Sequence, residues 1–158
     1  MHLPIACLRN LLAKALFKES GKGCQIGRHV HLIAPYRIKL GKNVFINKNV
    51  ILDGRTGLII GDNTDIGEFS AIWSLSHDID SPNHSTLGGE TIVEDHCWIA
   101  PRSIILPGIR LKRGTVVGTG SVVTKDTEEN TLVAGVPAKT IRKRKNNLEY
   151  ELTYKIYL

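Results

Sequence analysis

Residues 97–127 read "CWIAPRSIILPGIRLKRGTVVGTGSVVTKDT", and one apolar residue returns in them every six places. Ile99, Ile105, Leu111, Val117 and Val123 form that column. Four residues after each lies a second column of Ser103, Ile109, Thr115, Ser121 and Thr127, with Cys97 as its earlier member. The same two columns extend backwards. Leu40, Ile46, Leu52, Ile60, Ile66, Ile72 and Val93 continue the first, and Val44, Val50, Thr56, Thr64, Ser70 and Ser76 the second. The step is six except at three places. It is eight from Leu32 to Leu40 and again from Leu52 to Ile60, and 21 from Ile72 to Val93.

A hexapeptide of this kind makes a short flat strand and a tight corner, and three of them close one triangular turn. The apolar residue points inward and the small one fits at the narrow corner. Gly41, Gly61, Gly67 and Gly118 recur one place after the apolar column. Their expected task is a corner backbone at φ > 0, which glycine tolerates. Successive turns then pair as parallel strands about 4.8 Å apart. Short periods repeated in this way specify a solenoid, here an all-β parallel β-helix. An antiparallel sandwich places no demand for one six-residue phase along most of a chain.

The ends depart from the repeat. Leu3, Ile5, Leu8, Leu11, Leu12, Ala15 and Leu16 fall largely on one helical face, and Gly21 and Gly23 stop it. Residues 1–22 are expected to form a helical cap on the first coil, because solenoids need protected ends. A membrane-surface anchor is the less favoured use of the same pattern. Residues 23–137 form the β-helix. Residues 138–158, basic and then mixed, are expected to end it as a short helical or irregular cap.

Of the net charge of +6, Arg142, Lys143, Arg144 and Lys145 alone supply four. Such a run is usually a solvated tail, and it also suits phosphate groups. No nucleic-acid-binding motif accompanies it, so nucleic acid is not an expected partner. Three scattered cysteines, Cys7, Cys24 and Cys97, fit reduced thiols and a cytoplasmic location better than a disulfide framework. No stretch approaches the ~20 apolar residues of a membrane span.

The long step extrudes a loop over 78–91, within "HDIDSPNHSTLGGE" (77–90), which is rich in turn formers. Loops on regular scaffolds carry function, and this one starts directly after His77. Imidazole exchanges a proton near neutral pH, as a hydroxyl acceptor requires when it attacks a carbonyl. The bland alternative, a histidine merely exposed at a loop start, is the weaker one at the single extrusion. His84 lies mid-loop, within reach of a substrate. A zinc site from His77, His84 and His96 is disfavoured by their spacings of seven and twelve, and no metal is expected. No P-loop, dinucleotide fingerprint or G-x-S-x-G elbow is present.

Two stretches, "IIGDNTDIGEFSAIWSLSHD" (59–78) and the run from Cys97 to Arg144 ending "TEENTLVAGVPAKTIRKR", resemble the hexapeptide-repeat acyltransferases. The resemblance spans about 26–142. It is closest to galactoside and maltose acetyltransferases and to enzymes that O-acetylate sugars in polysaccharide biosynthesis. It implies a left-handed β-helix and a homotrimer with active sites between subunits. It also implies transfer of acetyl from acetyl-CoA to a hydroxyl of a small acceptor. His77 matches the base, and Asn47 in "LGKNVFINKN" an asparagine near the acceptor and the reacting carbonyl. Asp53 falls near an acidic acceptor-binding position. Ala100, Pro101, Gly118, Thr119, Thr124, Lys125 and Arg142 match cofactor-binding positions. Ala100–Pro101 and Thr119 depart from the family's usual residues there, and Pro101 supplies no N–H. Acetylation of an amino sugar or of serine, and a β-helix kept only as an assembly module, are the competing readings. Intact His77, Lys125 and Arg142 argue against the last.

Overall fold

The structure, a computed structural model, describes residues 6–153, except the side chains of Ala6, Cys7, Arg9 and Ala13. It is a three-faced prism of parallel strands. Face I stacks Glu19–Ser20, Ile38–Leu40, Leu58–Ile60, Thr91–Val93 and Arg110–Leu111. Face II stacks Gln25–Ile26, Phe45–Ile46, Asp65–Ile66, Trp98–Ile99, Val116–Val117 and Thr131–Gly135. Face III stacks His31–Ile33, Ile51–Asp53, Ala71–Ile72, Ile104–Ile105 and Val122–Val123.

The repeat explains this register. Ile46 pairs with Ile66, Ile66 with Ile99 and Ile99 with Val117. Leu52 pairs with Ile72, Ile72 with Ile105 and Ile105 with Val123. All twelve members of the apolar column from Leu40 to Val123 are buried, most at 0% exposure. Burying each such side chain stabilises the coil by about 1.5–3 kcal/mol. Second-column hydroxyls bond corner carbonyls, as Ser103 Oγ does to Ala100 O at 2.8 Å and Gly118 O at 2.9 Å. A buried hydroxyl needs such acceptors. Ser76 is the exception. It is exposed, and Ser74 takes the buried corner place, its Oγ accepting Thr56 N–H at 3.1 Å.

The recurring glycines do a different job from the expected one. Gly41, Gly61, Gly67 and Gly118 are not at positive φ. A Cβ at Gly61 would lie 2.6 Å from Asp95 N, and one at Gly67 2.6 Å from Pro101 N. They are glycines because adjacent turns pass too close for a side chain. The left-handed corner residues sit two places later, at Asn43, Asn63, Phe69 and Gly120, with His96 and Arg102 at the equivalent corners of the turn between. Asparagine is among the non-glycine residues that best tolerate that region.

The N-terminal helix spans Ala6–Leu16, and Asn10 Oδ1 accepts the Ile26 N–H at 2.9 Å. Its apolar face is not buried within one chain. Leu8, Leu11, Leu12 and Leu16 are 41–66% exposed, and Phe17, just past the helix, enters the core of the first coil instead. Leu3 and Ile5 lie outside the described residues. The C-terminal cap is not helical. Ala138–Lys143 turns back antiparallel on Thr131–Gly135, and residues 144–153 run over the edge between faces I and II as an extended strap. Leu148 is buried there, and Leu152 N–H bonds Asn63 Oδ1 at 3.1 Å. Residues 154–158 of the expected tail lie outside the described residues. No described helix is long and apolar enough to cross a membrane.

Candidate active site

The edge between faces III and I collects every irregular step. The two steps of eight cross it, at 32–40 and 52–60, and so does the long one, at 72–93. The extruded segment is a β-hairpin rather than an irregular loop. Leu75–His77 pairs antiparallel with Thr86–Gly88, with His77 opposite Thr86. Extrusion therefore begins at Leu75, ahead of His77, and a strand rather than a loop start holds the histidine.

His77 and His84 stack face to face, with centroids 3.9 Å apart and planes within 10°. His77 Nδ1 lies 3.1 Å from the His84 carbonyl oxygen. A carbonyl only accepts, so Nδ1 carries the proton and neutral His77 keeps its lone pair on Nε2. That is the tautomer a general base needs. His84 thus acts on His77 through its backbone and its ring face.

His77 lines a cleft of about 430 Å³ with Arg55, Trp73, Leu75, Ser76, Ile104, Leu106 and Pro107. Arg55 was not expected from the sequence. Its cause is the residue two places earlier. Asp53 is fully buried, not open to an acceptor. Its Oδ1 accepts Arg55 N–H at 3.0 Å and Arg55 Nε at 2.9 Å. Its Oδ2 accepts Arg55 Nη2 at 2.9 Å, Ser74 N–H at 3.2 Å and Leu75 N–H at 3.3 Å. Burial pushes the Asp53 carboxyl up, but the hydrogen bonds from Arg55 and Ser74 outweigh it and hold the carboxyl below its ordinary value. With five donors on it, Asp53 anchors Arg55 and the root of the hairpin, and it does not line the cleft.

The other expected residues divide between two edges. Thr124 and Lys125 share the edge of His77, with Lys125 exposed. Asn47, Ala100, Pro101, Gly118 and Thr119 lie on the edge between faces II and III. Asn47 donates to Asp65 Oδ1 at 2.9 Å and Ile66 O at 3.0 Å. It does not line the His77 cleft of its own chain. Burial pushes the Asp65 carboxyl up, and the Asn47 bond only partly offsets this. Ala100 has no free backbone group: its N–H bonds Val117 O, and its carbonyl accepts Ser70 Oγ and Ser103 Oγ. Thr119 is exposed, and Arg142 lies exposed on the terminal hairpin.

His96 is far from this group in the fold. It sits on the strap edge, with Nε2 3.2 Å from Tyr150 O, and its ring meets Tyr150 edge-on. His77, His84 and His96 are therefore not one cluster, and no described group of three or more His, Cys, Asp or Glu side chains has a metal-holding arrangement. Cys24 and Cys97 are buried and free, and burial pushes the Cys97 thiol up to about 12. That thiol stays protonated and is no nucleophile.

A stacked hexapeptide coil whose extrusion presents an oriented imidazole beside an open cleft defines a parallel β-helix protein with a candidate proton-transfer site. Comparison with known proteins agrees. Residues 90–125 match the family described as bacterial transferase hexapeptide (six repeats). The chain is 30% identical over 141 residues to the galactoside O-acetyltransferase of Escherichia coli, covering 85% of this chain and 68% of the relative. It superposes with a TM-score of 0.84 and 29% identity on a hexapeptide-repeat acetyltransferase of Vibrio cholerae complexed with acetyl coenzyme A, covering 89% of this chain and 78% of that one. The maltose O-acetyltransferase of Clostridium difficile gives 0.83 and 31%, over 87% and 75%. The chain spans about two thirds of the length of the curated relatives it matches. It belongs to the hexapeptide-repeat acetyltransferases, and its coil is the left-handed β-helix of that family.

Proposed function

We propose that this chain transfers an acetyl group from acetyl-CoA to a hydroxyl of a sugar or related small acceptor, with His77 as general base. The observation that carries the assignment is the bond from His77 Nδ1 to the His84 carbonyl, which leaves Nε2 as the proton acceptor. Nε2 removes the acceptor's hydroxyl proton as the oxygen attacks the thioester carbonyl. The departing thiolate leaves the carbonyl carbon and takes that proton back from Nε2. Positioned proton transfer of this kind contributes about 10²–10⁴ in rate.

The coenzyme's groups suit the cations near the cleft and the terminal hairpin. Lys125 and Arg142 are exposed and face no fold requirement, so they are assigned to its phosphates. Asn47 and Thr119 lie across face III from His77, and within one prism that face separates them. Its outward residues are His31 at the first turn and then Ile51, Ala71, Ile104 and Val122. An apolar outer face between two half-sites fits a homotrimer in which Asn47 and Thr119 of one copy complete the His77 site of the next. The domain plan is the helix and first cap to residue 22, the coil to 137, and the hairpin with its strap beyond. A role in making surface polysaccharide fits the sugar acceptor.

The test is free thiol release from acetyl-CoA with a panel of sugars, nucleotide-sugars, amino sugars and serine. Release that depends on a sugar hydroxyl supports the reading. Release only with an amine or with serine shifts the substrate class. No release, together with no calorimetric binding of coenzyme A, leaves a β-helix without chemistry. Sedimentation checks assembly, where a monomer unchanged by Ile104→Lys contradicts the shared site.

A further inference from the structure

Arg55 is a cation with a fixed position and an unfilled edge. Buried Asp53 grips its Nε and Nη2, and Nη2 also reaches Leu75 O at 3.3 Å. Among the described residues Nη1 has no acceptor, and the side chain is 41% exposed. Arg37 approaches from the preceding turn, its Nη1 donating to Arg55 O at 2.6 Å, so a second cation borders the same edge.

The cleft walls sharpen the point. Besides Arg55 and His77, the lining is Trp73, Leu75, Ser76, Ile104, Leu106 and Pro107, with no carboxylate. The carboxylate that pairs with Arg55, Asp53, is fully buried and holds five donors. Its charge is spread into three backbone N–H groups as well as the guanidinium. The pair is formally neutral, but its acid is buried behind the wall and only the guanidinium, 41% exposed, reaches the cleft. A neutral sugar gains little from such a residue. An acidic group gains a charge-assisted bond, with the guanidinium already immobilised.

We infer that the acceptor carries an acidic group, a phosphate or a carboxylate, which Arg55 receives while His77 deprotonates a hydroxyl of the same molecule. This rests on the acetyl-transfer reading and narrows its acceptor class to acidic sugars. Arg55 is a specificity residue here and takes no part in bond making.

The experiment compares thiol release with glucose, glucose 6-phosphate and galacturonate, in wild type, Arg55→Lys and Asp53→Asn/Arg55→Gln. The double variant removes both charges together, so that no buried carboxylate is left unpaired, and thermal melting verifies its fold. Wild type is expected to favour an acidic sugar over glucose by about tenfold to a hundredfold in kcat/KM, carried by KM. The phosphate and carboxylate arms decide which acid it is. Arg55→Lys should keep part of the preference, the double variant should lose it, and salt should weaken it. Equal use of glucose and both acids overturns the inference and leaves acetyl transfer standing. A preference that persists in the double variant overturns the role of Arg55. Failure of all three while another neutral acceptor supports release overturns the inference alone, and failure of every acceptor together with no coenzyme A binding removes acetyl transfer itself.

Discussion

Two edges of the prism are built from the same coil and serve opposite ends. Between faces I and II, Gly23, Asn43, Asn63, His96, Gly114 and Asn130 hold the left-handed corner, one above another. Asn43 Nδ2 bonds Asn63 Oδ1 at 3.2 Å, and the strap from Arg144 to Thr153 covers the column. Arg144 donates to the carbonyls of His96 and Gly114, and Leu148 is buried there. Polar side chains on that edge serve folding. Between faces III and I the corners are longer, one extrudes a hairpin, and His77 and Arg55 are left facing an open cleft. Similar residue types take different roles because one edge is covered by its own chain and the other is not. His96 and His77 make the contrast most clearly: one imidazole is walled in by Tyr150, the other is exposed.

The largest expected effect breaks the open edge. Replacing residues 76–87 with a short Gly-Ser turn should lower thiol release by at least about 10²-fold. The melting temperature should move by only a few degrees, roughly the shift that 1 kcal/mol gives a domain of this size. A large loss of stability would mean that the hairpin serves the fold as the strap does.

Asp53→Ala comes next. It releases the half-exposed Arg55 guanidinium to solvent and unpairs the Ser74 and Leu75 N–H groups, and should cost about 2–4 kcal/mol in urea unfolding. The pH dependence has a definite sign. Because the folded carboxyl lies below its unfolded value, its stabilisation is present above about pH 4 and fades as pH falls through the folded value. A wild-type stability unchanged across that acid window would contradict the pairing.

Truncation after Lys143 removes the strap and should cost about 2–3 kcal/mol, chiefly the burial of Leu148. Turnover measured below the melting point should stay near wild type, since the strap touches the other edge. Loss of turnover in a folded truncation would join the two edges functionally. The smallest effect is Asp65→Asn. Burial raises that carboxyl, so its ionised form burdens the fold at neutral pH. The variant should melt roughly a degree or two higher at pH 7, with the gain shrinking as pH falls towards 4.

The coil was legible because its cause is local and repeated: each apolar residue in the column meets its own kind one turn away. The left-handed corners were placed two residues too early, at Gly41, Gly61, Gly67 and Gly118, since close approach between turns and positive φ both select small or flexible residues, and sequence spacing alone does not separate them. The extrusion was read correctly as an insertion but as a loop, although its sequence carries a strand signal. Leu75-Ser-His and Thr-Leu-Gly flank a Ser-Pro-Asn turn, a pattern that pairs as strands. The strap was not readable, because Leu148 and Tyr150 follow no period and are held by long-range partners on turns far back in the chain. Asp53 was read as an exposed acceptor-side residue and Arg55 was not singled out, for a related reason. Two residues apart, either one fits an exposed site, and only burial at the longer corner decides that the acid turns in and the base out. The signal that pointed there was the step of eight at the same edge as the extrusion.

The most direct test of the account is His77→Ala, assayed by thiol release from acetyl-CoA with the best acceptor, alongside calorimetric binding of coenzyme A. The account predicts turnover lower by about 10²–10⁴ with the coenzyme's Kd unchanged. Turnover retained in a folded His77→Ala protein would contradict it and move the base elsewhere.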